Sequence, residues 1–214
     1  MLTRPLLDLV LPLECGGCGA PSTRWCAGCE AALAVGPDQP CVVTPRVDPG
    51  VPVFTLGRYA GARRQVIVAL KERGRHDLTG PLARSVALGI HQLTRWGVLG
   101  LPLTVVPAPT RRLAARRRGG DPVTRVAAAA AGSHPDITVA TVLRTSALVR
   151  DSAGLGSTAR QRNIAGRVRL RGCPPGEVLL VDDVVTTGAT AREAVRVLVA
   201  GGTQVAAVLT MAHA

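Results

Sequence analysis

Aromatic side chains are nearly missing from this chain, which has two Trp, one Tyr and one Phe among 214 residues. A core without rings has to be filled by Ala, Val and Leu, and a surface without rings offers few stacking platforms for nucleobases. Lysine is scarcer still: of 26 basic residues, only Lys71 is not Arg. Acidic residues number 14, so the formal charge is +12, a balance that favours polyanionic ligands or partners. No apolar run reaches the ~20 residues of a membrane helix. The apolar stretch 2–13 is interrupted by Asp8 and Pro12, is too short for an export-signal core, and lacks a lipoprotein cleavage pattern before Cys15. It reads as an amphipathic helix packed on the main domain of a cytoplasmic protein, without membrane insertion.

Cysteine is sparse but grouped. Four of the six Cys stand as Cys15-x-x-Cys18 and Cys26-x-x-Cys29. Each pair closes a tight turn, eased by Gly16, Gly17, Gly19 and Gly28, that can present two thiolates to one ion. The pattern predicts a closed, non-catalytic zinc site. A disulfide pair is disfavoured in a reducing compartment, and a redox Cys-x-x-Cys does not normally come doubled at such short spacing. Cys41 and Cys173 have no partner in the pattern. The next segment, 36–52, holds Pro37, Pro40, Pro45, Pro49 and Pro52 and reads as a linker or extended wrap. The organisation expected is therefore a zinc module over 1–35, a Pro-rich linker over 36–52 and a main domain over 53–214.

Within the main domain, strands are expected at 53–59, 104–106, 137–143, 178–181 and 203–209, and helices at 62–73, 78–96, 122–131 and from 191 to 198. Asp121 is placed to cap the 122–131 helix, since Pro122 suits a first helical position. Strands alternating with helices predict an α/β fold with a doubly wound parallel sheet.

The most informative stretch is Val178-Leu179-Leu180-Val181-Asp182-Asp183-Val184-Val185-Thr186-Thr187-Gly188-Ala189-Thr190. A buried strand delivers two carboxyls to its own carboxyl end, and a Thr/Gly loop then enters a helix whose first N–H groups suit a phosphate. Acids beside a phosphate cradle suggest a phosphorylated sugar. A receiver domain also opens on such a strand, but only 31 residues follow Asp183 and none is Lys. A P-loop run is absent. A second candidate site is Val105-Val106-Pro107-Ala108-Pro109-Thr110-Arg111-Arg112, followed by Arg116-Arg117-Arg118. There a Pro-restricted strand end leads into five guanidiniums that could neutralise pyrophosphate, or simply form a solvated basic loop. The run Gly154-Leu155-Gly156-Ser157-Thr158-Ala159 matches a dinucleotide fingerprint, yet no clear strand enters it and no acid ends a strand at the right distance.

The Asp-Asp-x-x-x-Thr-Gly-x-Thr run resembles the phosphoribosyl pyrophosphate (PRPP) signature of type I phosphoribosyltransferases. The resemblance implies that Asp182 and Asp183 hold the ribose hydroxyls, while Thr186, Thr187, Gly188, Ala189 and Thr190 hold the 5′-phosphate. Tyr59-Ala60-Gly61 with Leu70-Lys71, Val106-Pro107-Ala108-Pro109, Arg118-Gly119-Gly120-Asp121 and Arg160-Gln161-Arg162-Asn163 narrow it. Together with the Cys pairs, they resemble the ComF family of phosphoribosyltransferase-like proteins. Gly120 and Asp121 depart from that family's Phe and Asn, its second Cys pair is reduced to Cys41, and Thr186 stands where purine-salvage enzymes carry an acid.

The resemblance implies transfer of phosphoribose from Mg²⁺-bound PRPP to an acceptor that the sequence does not reveal. Asp182, Asp183 and Lys71 would be the catalytic residues, Pro107, Ala108, Arg111 and Arg118 would complete the PRPP site, and Cys15, Cys18, Cys26 and Cys29 would hold structural Zn²⁺. The alternative it implies is a non-catalytic competence accessory that binds single-stranded DNA or the DNA-uptake machinery.

Overall fold

The computed structural model describes residues 13–109, 120–132, 134–145 and 166–214. The expected amino-terminal helix, the Arg111 and Arg118 loop and the 154–159 glycine run lie outside them. The elements in chain order are α1 (Ala27–Leu33), β1 (Cys41–Val42), β2 (Val53–Thr55), α2 (Gly61–Glu72), a 3-10 turn at His76–Leu78, α3 (Thr79–Arg95), β3 (Leu103–Pro107), α4 (Pro122–Ala131), β4 (Ile137–Val139), β5 (Leu143–Thr145), β6 (Val168–Leu170), β7 (Glu177–Val185), α5 (Ala189–Ala200) and β8 (Val205–His213).

Six strands form one sheet in the order β1-β2-β8-β7-β3-β4, while β5 and β6 pair as a separate antiparallel ribbon. Every neighbour in the large sheet is parallel except β1 on β2. This is the α/β architecture expected. Val178, Leu179, Leu180 and Val181 are all fully buried, as a central parallel strand with covered faces requires. On one face, α2, α3 and α4 pack around Val66, Ile67, Leu82, Leu93 and Val126. On the other, α5 and the ribbon pack through Val195, Leu198, Leu143 and Val168. Small side chains let the layers approach closely. A Cβ on Gly89 of α3 would lie 2.6 Å from Leu56 Cδ2, so any larger residue at that crossing would force the buried Leu56 side chain to move.

α4 spans the expected residues, and Asp121 caps it by accepting from Val123 N and Thr124 N at 3.4 and 3.3 Å. Four of the expected strands differ clearly in extent. The 137–143 strand divides into β4 and β5, because Ala140 N still reaches Val105 O while Val142 O turns to accept from Arg171 N. The 53–59 strand stops at Thr55, beyond which the chain follows β8 through single bonds such as Tyr59 N to His213 O. β7 and β8 both outrun their expected ends, reaching Val185 and His213, since each supplies the other's ladder through polar residues that mask strand character.

Residues 41–55 are joined to the sheet. β1 pairs with β2, Val43 N bonds Val53 O, and the stretch between loops out and returns through the Asp48–Gly50 turn. Among the described residues, no helix is long and apolar enough to cross a membrane.

Candidate active site and metal centre

The Cys-rich segment folds through local backbone bonds: Cys15 N to Ala20 O, Gly19 N to Cys15 O and Gly16 N to Arg24 O. α1 then follows with Cys26 as its cap and Cys29 in its first turn. All four sulfurs lie within 4.8 Å of one another, and Cys18 Sγ is 3.6 Å from Cys26 Sγ. Four sulfurs around a tetrahedral Zn²⁺ at ~2.3 Å stand about 3.8 Å apart, so the donor set fits that ion. Amide-to-sulfur bonds from Cys26 N to Cys15 and from Cys29 N to Cys26, both 3.4 Å, favour thiolate sulfurs. Burial alone would raise the Cys15 thiol, but backbone bonds from Gly17, Cys18 and Cys26 outweigh it and bring it down to about 6. Cys29 is pushed well up by burial and by the neighbouring thiols, and a cation bound among them would displace such protons. Exposed Cys41 stands outside this cluster.

The module is fastened to the turn that follows α2. Arg75 donates to Glu14 O and Arg24 O while paired with Asp77, Leu78 packs under Gly16, Arg84 pairs with Glu30, and Ser85 Oγ donates to Leu33 O. Lys71, in the last turn of α2, lies just before this turn.

Asp182 and Asp183 lie near the end of β7, still inside its ladder with β8. Successive strand residues point to opposite faces. Asp182 lines a cleft with residues 184–191 and Thr210, while Asp183 pairs with Lys71 from α2 on the other face. Each acid also accepts from the N–H that follows it, Asp183 N and Val184 N. β3 pairs with β7 only as far as Pro107 beside Val181, with Ala108 N reaching Val181 O, so Pro107 and Ala108 stand next to the acids. The chain leaves β3 for α4 on one face and leaves β7 for α5 on the other. Such a divergence opens a crevice at the carboxyl ends, where ligands of open α/β sheets bind.

Burial, then the charge of Asp183, raises the Asp182 carboxyl from 3.8 to about 8; Lys71 opposes the rise. The loop beyond turns on Gly188, whose φ of 84° is left-handed, and α5 starts at Ala189. A left-handed residue before a helix start gathers N–H groups into an anion-binding concavity.

Of the candidate residues, the structure brings Asp182, Asp183, Lys71, Pro107, Ala108 and residues 186–190 to one sheet edge. Sequence reasoning missed Thr210, which lines the cleft from β8, and Arg63, which is buried and donates to Met211 O at 3.3 Å. Arg63 was discoverable, since it falls in register with Val66, Ile67 and Leu70 on the buried face of α2. It also missed that Pro45 and Val47 touch Gly188. No family model and no curated protein matches this chain.

Two outcomes are expected. Elemental analysis of protein purified under reducing conditions should find about one zinc per chain, and Cys29→Ser should lose it; substoichiometric metal accompanied by disulfides would refute the centre. The second concerns pH. Because folding raises the Asp182 carboxyl from 3.8 to about 8, the native state holds a proton that the unfolded chain releases. That contribution to stability is complete below the lower value and is lost as pH rises through the upper one. Urea unfolding at several pH values from 6 to 9 should therefore show the wild type losing stability relative to Asp182→Asn as pH rises. A pH-independent difference would contradict the assignment.

Proposed function

We propose that the protein binds Mg²⁺-complexed PRPP at the carboxyl edge of its sheet and transfers phosphoribose to an acceptor. The observation that carries this reading is the single cleft shared by Asp182, the 186–190 loop and Thr210, with Asp183 and Lys71 beside it. Asp182 and Asp183 accept from the ribose hydroxyls, and the N–H groups at the start of α5 hold the 5′-phosphate. Lys71, ion-paired with Asp183, lends positive charge as pyrophosphate leaves the anomeric carbon. The Pro107–Ala108 turn bounds the same edge on the β3 side. Mg²⁺ arriving with the pyrophosphate supplies charge neutralisation of the leaving group. No carboxylate stands at Thr186 to take a proton from a purine, which favours an acceptor other than those of plain purine salvage.

Calorimetry with Mg²⁺ and PRPP is the direct test. A hydrogen bond to an ionised carboxylate is worth roughly 1.5 to 3 kcal/mol, so above about pH 8, where Asp182 has lost its proton, Asp182→Asn with Asp183→Asn should weaken binding on the order of a hundredfold. Ribose 5-phosphate should compete and ribose should compete poorly. Absence of PRPP binding at millimolar ligand, or equal binding by the double variant, overturns the reading.

One observation favours a second reading, contact with single-stranded nucleic acid. In the β5–β6 ribbon, Arg144 lies directly opposite Arg169, and Arg167, Arg169 and Arg171 alternate with inward-facing Val168 and Leu170. Like charges facing each other across strands are destabilising, and a phosphate backbone laid over them would relieve the repulsion. With few aromatics available, binding would depend on phosphate contacts and salt. Affinity for an oligonucleotide should fall linearly with salt on logarithmic axes, and Arg144→Glu with Arg169→Glu should shrink the slope by about 0.7 per contact removed. A flat salt response removes this partner.

A further inference from the structure

The Pro-rich stretch between the zinc module and the main domain does more than connect them. Val47, 8% exposed, donates its N–H to Thr187 O at 2.9 Å. A Cβ on Gly188 would lie 2.4 Å from Val47 O and 2.7 Å from Pro45 Cβ, so the strap closes the outer side of the loop with no space to spare. Neither Pro45 nor Val47 lines the cleft, which residues 184–191 border from the other side. The ends of the stretch are tied together by Val43 N donating to Val53 O, and the turn between them is fixed by the Asp48 carboxylate accepting from Gly50 N. Val43 and Val51 pack against the core on the α5 face.

We infer that Val47 is a positioning residue for the phosphate loop, acting through the peptide between Thr187 and Gly188. In a trans peptide, C=O and N–H point in opposite directions. Fixing the Thr187 carbonyl on the strap therefore turns the Gly188 N–H away from it, toward the cleft. That N–H donates to no acceptor among the described residues. Without the strap bond, the 187–188 peptide is free to rotate, which glycine at 188 makes easy, and the loop loses a donor aimed at the anion. This inference rests on the reading of the loop as a phosphate site, and it adds the segment that holds that site ready.

The test is an NMR titration of the full-length, zinc-loaded chain with inorganic phosphate and, separately, with Mg²⁺ and PRPP, following the Gly188, Ala189 and Thr190 amides. Val47→Pro removes the donor, whereas Val47→Ala keeps it and trims only the side chain. Wild type should show saturable shifts. Val47→Pro should bind phosphate about tenfold more weakly, the scale of one lost hydrogen bond, with Val47→Ala within about threefold of wild type.

A wild-type measurement covers the case in which Val47→Pro does not fold. Coupling is reciprocal, so bound phosphate should slow hydrogen exchange at the Val47 amide. The inference is overturned by any of four results: no phosphate response in wild type, unweakened binding by Val47→Pro, equal weakening by both variants, or unchanged Val47 exchange. Should phosphate bind as expected while PRPP binds no more tightly, the phosphoribosyl reading fails and the strap's role stands.

Discussion

The parallel ladder that β7 makes with β3 and β8 determines where everything else must lie. Central strands have both backbone edges paired, so their ends are the only places where the main chain meets solvent and side chains can change character. β3 ends beside Val181, whereas β8 follows β7 as far as Val185. Past Val181, β7 is therefore paired on one edge and open on the other, and the two acids occupy this half-paired stretch. The helices after β3 and β7 depart to opposite faces, so neither helix covers the opening. A site at this point follows from topology before any side chain is considered.

The ring-poor core, in which Phe54 is the one buried aromatic among the described residues, imposes a second constraint. Val and Leu side chains fill less space than aromatics, so the layers close up, as the Gly89 crossing over Leu56 shows. A sheet wrapped by short side chains also leaves little apolar area to anchor appended segments. The zinc module compensates with polar fastenings: Arg75 to two backbone carbonyls, Arg84 to Glu30, and Ser85 to Leu33 O. Exposed ion pairs of this kind contribute little individually. Their number, together with buried Leu33, Leu78 and half-buried Trp25, makes the docking specific. The module thereby braces the turn directly after Lys71.

What the sequence made legible was local and periodic. The Cys pairs required only spacing, α4 only an Asp-Pro entry and an apolar stripe, and the Asp-Asp-to-Gly188 run only a strand-loop-helix transition. What stayed hidden depended on contacts distant in sequence. Thr210 looks like one more small residue in a strand until β8 is paired in register with Asp182. The break between β4 and β5 cannot be read from a continuous apolar run, because it arises when one strand changes partners. Val47 is the sharpest case. Its Pro-rich surroundings advertise irregular chain, and irregular chain carries no periodicity to show that it lies against Gly188, 141 residues later.

Adjacent carboxyls at a half-buried strand end cannot both ionise cheaply, since like charges in a region of low polarisability repel strongly. The fold resolves this by giving them unequal surroundings. Asp183 is ion-paired with the chain's only lysine, while Asp182 faces the cleft, where burial and the charge of Asp183 raise its carboxyl to about 8. In this state the pair presents one group that donates or accepts and one that only accepts. A polyhydroxyl ligand suits that combination, because each hydroxyl can play either role. A ligand that brings a cation favours the second ionisation as well, so binding of such a complex and loss of the Asp182 proton are linked. The same carboxyl that weakens the fold as pH rises is thus the one whose ionisation a nearby cation would favour most, which couples the stability of this strand end to the charge brought beside it.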